Sequence, residues 1–584
     1  MVAGRGQHGR DLPADEPGRA GEQHLHVPDG SRAGHPAGAR RRTRSDSVRT
    51  GRTDNATNWT KCAKDISKLV PPRPGVRHRP PPASGWESST RSSQVRRFAS
   101  RRVATTAAIA AGAAALIGVS LISTPSSAAA APAAPFDFNG DGRRDLAIGS
   151  PDAGVAAKAG AGLVTVVYGG TSGPNTAQRR VISQYGAAVA GEPEVGDKFG
   201  AAVDSADLNK DGFADLIIGS PGEATTNGVR AGTVTFGYGS ATGFTFETLH
   251  AIEPLAEDRY GETVTVADID NDGWPEAAIG GPGTEYIDLW TWAPLENAGA
   301  AAKAGGPHAK RVALPGNGGI SAQAVGAEFF KIDGADVFGD AGGEIVALWR
   351  DEQGTNPTEQ GHVAMLFFDG AGLQWTAPVT TTGHTLAVGN LDADARPEVV
   401  VGQYSNSGFN GGQVTVWQAG TAPTYLTGAR RIHQDTTGIP GAAEAGDRFG
   451  QSLSIGDADN DGFGDLAVGV PGEDLPGGAD AGAIVFIYGS ATGPNTGRVW
   501  AINQETSNIP GGSEANDRFG GASTQLDITG DGKTELSIGS PGENGTEGLV
   551  TTLKGGLTSV GAAAFGPSAV GVTTTARLGS VLGG

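Results

Sequence analysis

The chain has 584 residues, with 95 glycines, 34 prolines, two methionines, one cysteine and 6% aromatic residues. That much glycine excludes a fold of long helices, because glycine weakens helix interiors, and the single Cys62 excludes a disulfide framework. Charge is divided: residues 1–100 carry 19 Lys and Arg against 9 Asp and Glu, whereas residues 131–584 carry 23 against 54, an acidic body that disfavours nucleic acid and anionic lipid.

Residues 1–94 are rich in Arg, His, Pro and Gly and show no hydrophobic periodicity. They read as a disordered basic tail, or as an upstream stretch ahead of a true translation start near Val95. Residues 95–134 read as a secretory signal. Arg96, Arg97, Arg101 and Arg102 precede the uncharged run VATTAAIAAGAAALIGVSLI at 103–122, and the small-residue stretch SSAAAAPAAP follows it. A run of roughly 20 residues also suffices to span a bilayer, so an uncleaved membrane anchor is the other reading.

From residue 135 to 584 one pattern recurs: acid-x-acid-x-Asp-Gly-x-x-acid, then an apolar run ending in Gly. The copies begin at Asp137, Asp207, Asp268, Asp336, Asn390, Asp457 and Asp527, a period of 54 to 70 residues. Each copy carries the same strand signals. A Phe-Gly or variant stands ahead of the loop, with its glycine at Gly200, Gly261, Gly450 or Gly520. Segments that alternate with period two follow it, such as GLVTVVYG from Gly162 and GAIVFIYG from Gly482. A GSATG-type turn and another short strand complete the repeat. About four strands per repeat make one propeller blade, so the spacing predicts an all-β, seven-bladed β-propeller.

The loop chemistry points to Ca²⁺, which takes six to eight oxygens from alternating side chains, a backbone carbonyl and a final carboxylate. Positions 1, 3, 5 and 9 supply the side chains and position 7 the carbonyl, while glycine at position 6 permits the left-handed turn. The candidate ligands are Asp137, Asn139, Asp141 and Asp145; Asp207, Asn209, Asp211 and Asp215; Asp268, Asp270, Asp272 and Glu276; Asp457, Asp459, Asp461 and Asp465; and Asp527, Thr529, Asp531 and Glu535. Carboxylates about 4 Å apart repel by about 4 kcal/mol at an effective dielectric near 20, a cost not repeated five times without a cation. About five calcium sites are expected. The loop at Asp336 has Phe338 in a ligand position and is expected to be empty. Asn390, Asp392, Asp394 and Glu398 form a weak site, because Ala395 replaces the glycine. Thr529 gives the last loop a neutral hydroxyl ligand.

These residues resemble the FG-GAP repeat of the integrin α-subunit propeller. The marks are Phe199-Gly200, Phe449-Gly450 and Phe519-Gly520, the Asp-x-Asp-x-Asp-Gly-x-x-Asp loops, and Gly219-Ser220-Pro221 or Gly469-Val470-Pro471 after them. The resemblance covers residues 135–584 and implies a secreted bacterial protein with calcium loops on one face and partner binding on the other. An extracellular protein or glycan is the expected partner, nucleic acid is not, membrane contact follows only from an uncleaved signal, and a monomer is expected.

No HExxH, GxSxG or phosphate-loop motif is present, and the body's histidines lack metal-ligand spacing. Two readings stand: a non-enzymatic adhesion or recognition module, and a carbohydrate-active propeller, either lectin or glycan-cleaving enzyme. Trp290, Trp292, Trp349, Trp375 and Trp417 either stack on sugar rings or fill wider blades. At the chain's end, TTTARLGSVLGG from Thr573 parallels ANDRFGGASTQL ahead of Asp527, so the C-terminal strand should close the ring beside residues 145–149. Mass spectrometry of exported protein should find an N-terminus between Ala128 and Pro135; peptides from residues 1–94 in cell extracts would refute a start near Val95.

Overall fold

A computed structural model describes residues 131–584 apart from 285, 294–306, 316–326, 352–360, 406–408, 423, 556 and 574. The expectations for 1–94 and for the run at 103–122 lie outside the described residues. Within them no helix is long and apolar enough to cross a membrane.

Seven antiparallel sheets follow one another along the chain. Blade 2 shows the plan: Ala202–Ala206, Asp215–Ser220, Thr233–Tyr238 and Thr245–Leu249 pair in sequence order from the axis outwards. Blades 3, 5, 6 and 7 repeat it from Thr263, Thr385, Leu453 and Ala522, and blade 4 adds a fifth strand, Val379–Thr381, to its third. Helical structure among the described residues is limited to single turns at Glu543–Thr546 and Pro567–Val570.

Burial explains the strand sequences. The second strand of a blade is covered on both faces by neighbouring blades, so Asp215–Ser220, Asp465–Val470 and Glu535–Ser540 are buried at every position. In Asp215–Ser220 and Asp465–Val470 this gives consecutive apolar residues, LII and LAV, in place of alternation, whereas Glu535–Ser540 sets Ser537 between Leu536 and Ile538. The outer strand Arg179–Ile182 is exposed except at Ile182. Seven buried clusters sit at the seven blade junctions, such as Leu391, Val400, Val414, Leu466, Val468 and Val485 between blades 5 and 6.

The Phe-Gly pairs and the Tyr260-Gly261 variant lock blades 2, 3, 6 and 7 onto the blade before. Phe199, Tyr260, Phe449 and Phe519 are fully buried and bridge Gly162, Gly232, Gly412 and Gly482 of the preceding blade. The following glycine adopts φ +86° at Gly200, where a Cβ would stand 2.8 Å from the Leu163 carbonyl. No other residue fits there.

The same lock closes the ring. Leu578, fully buried, bridges Gly548, and Val581–Leu582 pairs antiparallel with Leu146–Ser150 through Gly149↔Val581 and Ile148↔Leu582. Gly583 N–H donates to the Ala147 carbonyl at 3.0 Å. Blade 1 is therefore built from both ends of the body, as the sequence implies. Leu146 and Ile148 then share one apolar cluster with Val550, Phe565 and Leu578. A cavity of about 820 Å³ runs along the axis between the first strands, with Asp204, Lys331 and Asp333 in its wall. Truncation at residue 572 should lower the unfolding midpoint sharply, since burial of Leu578 alone contributes about 1.5–3 kcal/mol. A truncated chain that unfolds with the full-length one would overturn the closure.

Candidate metal centres

In blades 2 to 7 the acidic loop joins the first strand to the second; in blade 1 the first strand comes from the C-terminus and the Asp137 loop leads directly into the second, Leu146–Ser150, so the loops share one end of the propeller. The backbone of the loop is shaped before any cation is considered. Asp137 accepts from the N–H groups of Asp141 and Gly142 at 3.0 and 2.9 Å, one to each carboxylate oxygen. Asp207 does the same with Asp211 and Gly212, and Asp457 with Asp461 and Gly462. Position 6 is left-handed at Gly142, Gly212, Gly273, Gly462 and Gly532. Position 4 is left-handed too, at Gly140, Lys210, Asn271, Asn460 and Gly530, a feature the sequence reading did not single out although Gly and Asn recur there.

The ninth residue anchors the loop to its sheet. Asp145 is fully buried, accepting from Phe138 N–H at 3.0 Å and Gly169 N–H at 2.8 Å. Asp215 and Asp465 repeat this with Leu208 and Gly239, and with Ala458 and Gly489. Among the described residues no cationic side chain bonds to any of the three. Burial raises Asp145, Asp215 and Asp465 to about 7, against the lowering by those N–H bonds, and the other loop acids push in the same upward direction. Burial likewise raises Glu276 to about 8.

The structure brings three carboxylates within 4.8 Å of one another in two loops among the described residues: Asp268, Asp270 and Glu276, and Asp457, Asp459 and Asp465. In the same two loops the Oδ1 atoms of Asp268 and Asp459 are buried without a hydrogen-bond partner. An orphaned buried oxygen beside two further carboxylates fits an oxygen-seeking cation such as Ca²⁺. Asn139, Asn209 and Thr529 occupy the third position of the remaining three intact loops. Thr529 spends its hydroxyl on Glu535 Oε1 at 3.1 Å.

The two worn loops fail in different ways. The Asp336 loop keeps its skeleton: Asp336 accepts from Asp340 and Ala341, and Glu344 from Phe338 N–H. Its third position holds the Phe338 ring, which stacks on Tyr425 at 5.0 Å. The Asn390 loop keeps its acids, their turn bonds and the Leu391 N–H bond to Glu398, but its first position does not gather the N–H groups of positions 5 and 6. Asn390 donates its amide N–H to the Asp394 carbonyl, and Ala393 and Ala395 are not left-handed.

The tryptophans are structural. Trp349 and Trp417 are buried, and Trp290 and Trp292 are half-buried with indole N–H groups donating to Tyr260 and Tyr238 at 2.7 and 2.9 Å. Trp375 donates to the Ala313 carbonyl.

The pKa directions set a testable contrast. A carboxyl whose folded pKa lies above its unfolded value leaves the folded state holding more protons, so cation-free stability falls as pH rises from about 4 to about 8. A cation needs the ionised form and reverses that slope. Extracellular-type sites near 10⁻⁴ M would each contribute roughly 1.4 kcal/mol at about 1 mM Ca²⁺, or about 7 kcal/mol for five. The melting-temperature gap between calcium and chelator should therefore widen from about pH 5.5 to about pH 8. An identical melt in both buffers at the higher pH would remove calcium from the loops.

The FG-GAP repeat model matches residues 128–167, 199–236 and 449–487, which take in the loops at Asp137, Asp207 and Asp457. Integrin alpha-4 of Xenopus laevis is 39% identical over 97 residues, 16% of this chain and 9% of that protein. Phosphatidylinositol-glycan-specific phospholipase D of Bos taurus is 36% identical over 106 residues, 18% of this chain and 12% of that protein. Integrin alpha-PS2 of Drosophila melanogaster is 29% identical over 171 residues, 28% of this chain and 11% of that protein. The chain thus spans about a tenth of the length of these curated relatives. The chain carries FG-GAP repeats on a seven-bladed, integrin-like propeller.

Proposed function

We propose that the protein is an extracellular, calcium-binding recognition or adhesion module without enzymatic activity, which binds a protein or glycan at the end of the propeller opposite the acidic loops. The supporting observation is a group of five exposed apolar side chains at that end; the other exposed large apolar residues among those described, Val181, Phe368 and Val560, stand singly on strands of blades 1, 4 and 7. Tyr185, Val195, Val229 and Leu255 are 63–72% exposed, and Ile252 is 41% exposed. They lie in the connections from blade 1 to 2 and from blade 2 to 3, and in the blade 2 hairpin between them.

Those connections touch one another. Glu257 and Arg259 donate backbone N–H groups to the carbonyls of Val229 and Arg230, and Gly222 N–H donates to the Asp197 carbonyl. The residues therefore share one surface across three loops. Scattered single apolar residues need no explanation, but a grouped set on loops held by a rigid scaffold marks an interaction site. Calcium, in this reading, stiffens the far end of each blade and so fixes the strand ends from which the binding loops spring.

The test is direct binding of the full chain to purified matrix proteins and to a glycan array, with a turnover assay on the same glycans. Saturable binding should fall at least about tenfold in Leu255→Asp and Val229→Asp, with melting temperature unchanged. Binding that survives both substitutions, or turnover of an arrayed glycan, would remove this reading.

A further inference from the structure

The acidic loops are joined to each other by a backbone ladder that runs around the propeller. Arg144 N–H, at position 8 of the first loop, donates to the carbonyl of Asp527, position 1 of the last loop, at 3.0 Å. Ala214 N–H donates to the Asp137 carbonyl at 3.0 Å, Gly343 to Asp268 at 2.7 Å, Gly464 to Asn390 at 2.7 Å and Thr534 to Asp457 at 3.1 Å. In all five the donor is position 8 of one blade and the acceptor position 1 of the blade before it. The two remaining junctions have proline at position 8, Pro275 and Pro397, and proline has no N–H to give.

The loops therefore fall into two linked sets. Those of blades 5, 6, 7, 1 and 2 form one unbroken series, which crosses the ring closure at Arg144. Those of blades 3 and 4 form the other. Close packing reinforces the ladder: a Cβ on Gly239 would lie 2.2 Å from the Ala214 carbonyl and 2.9 Å from that of Phe138, in two successive loops.

The ladder is placed where it can sense a cation. Positions 7 and 8 share one peptide group, and in a trans peptide the C=O and N–H point in opposite directions. If the position 7 carbonyl faces the ion of its own blade, the N–H on the same plane points at the blade before. Its acceptor there is the carbonyl of the residue whose side chain is the first ligand of that blade's site. A cation that polarises the position 7 carbonyl makes the N–H a stronger donor, and hydrogen bonds in a chain strengthen one another.

We propose that the position 8 N–H is a positioning group for the cation site of the preceding blade, so that the loops of blades 5, 6, 7, 1 and 2 take up Ca²⁺ as a coupled series, interrupted by Pro275 and Pro397. This rests on the calcium reading above. A net hydrogen bond corresponds to roughly a 3- to 10-fold change in affinity between adjacent loops.

The experiment titrates chelator-stripped full-length chain with Ca²⁺ by calorimetry. Thr534→Pro removes the N–H between blades 6 and 7 at a position where two other blades already hold proline. It should weaken uptake by the linked loops roughly 3- to 10-fold while the number of sites stays the same. A second pair of variants stands independent of how Thr534→Pro folds. Pro275→Ala adds an N–H toward Asp207, and terbium(III) luminescence sensitised by Trp274, position 7 of the blade 3 loop, reports that loop alone, with Trp274→Phe as the blank. Weakening blade 2 with Asp211→Asn should lower terbium affinity at blade 3 in the Pro275→Ala chain and leave it unchanged when Pro275 is present. Superimposable isotherms for Thr534→Pro and the parent chain, or no effect of Asp211→Asn in Pro275→Ala, would overturn the coupling and leave the calcium reading intact. A chain that takes up neither Ca²⁺ nor terbium would overturn both.

Discussion

The structure depends on the buried carboxylate that ends each acidic loop, which in blades 1, 2 and 6 has only backbone N–H groups as its hydrogen-bond partners. Asp145, Asp215 and Asp465 hold the acidic loop from one side and the glycine of the next hairpin from the other, at Gly169, Gly239 and Gly489. Removing such a side chain would free two buried N–H groups at once and cut the loop from its sheet. Keeping it ionised without a counter-charge is also costly, since burial raises its pKa toward neutrality. A cation relieves the second cost without touching the first. That is why the same residue can be a structural clamp and a candidate ligand.

A second row of buried polar links lies at the opposite end. Gln184, Gln434 and Gln504 donate to Glu223, Glu473 and Glu543 of the next blade at 2.6 Å, each pair 39 residues apart. These pairs stand at the junctions of blades 1 and 2, 5 and 6, and 6 and 7. Blade 3 uses another solution: Arg311 pairs with the buried Asp288 at 2.8 Å and covers the ring of Tyr286. The regular blades are thus tied at both ends, by loops at one and by amide–carboxylate pairs at the other. The apolar clusters between them fix distance, and the polar links fix register.

Much of this was legible in the sequence because it rests on side-chain type. The Phe-Gly pairs, the acid spacing and the Arg577-Leu578-Gly579 echo of Arg518-Phe519-Gly520 predict the blade count and the closure, and the strand pairing at Gly149↔Val581 agrees. The position 8 ladder was not legible, since its donors are Arg, Ala, Gly, Gly and Thr, and any residue but proline can supply the N–H. Its signal was the proline at 275 and 397, which reads as ordinary loop composition until the neighbouring blade is in view. The Gln–Glu pairs carried a signal in their constant spacing of 39 residues, visible only once both strands of the junction are placed. The tryptophans were ambiguous for a different reason: an indole packs or stacks with equal ease, and only the hydrogen bonds to Tyr260 and Tyr238 decide it.

The blade 6 loop shows how local charge can be balanced within the protein itself. Arg498, from the outer hairpin of the same blade, donates to Asp459 Oδ2 at 2.6 Å and stands 3.7 Å from Asp461, with its guanidinium 3.6 Å above the ring of Tyr488. The stacked ring limits the side chain's freedom, so little entropy is lost in holding the charge at the loop. Yet the guanidinium reaches only one oxygen of Asp459 and leaves Oδ1 buried and unpaired. A planar donor approaching from one side cannot fill a cradle whose oxygens converge from several directions, whereas a spherical cation can. Arg498 therefore lowers the repulsion between Asp459 and Asp461 without meeting the geometry that the loop presents. In blade 1 the corresponding hairpin residue is Gln178, which accepts from Asn175 within its own turn, and the cation beside the acids is instead the loop's own Arg143, 3.5 Å from Asp141.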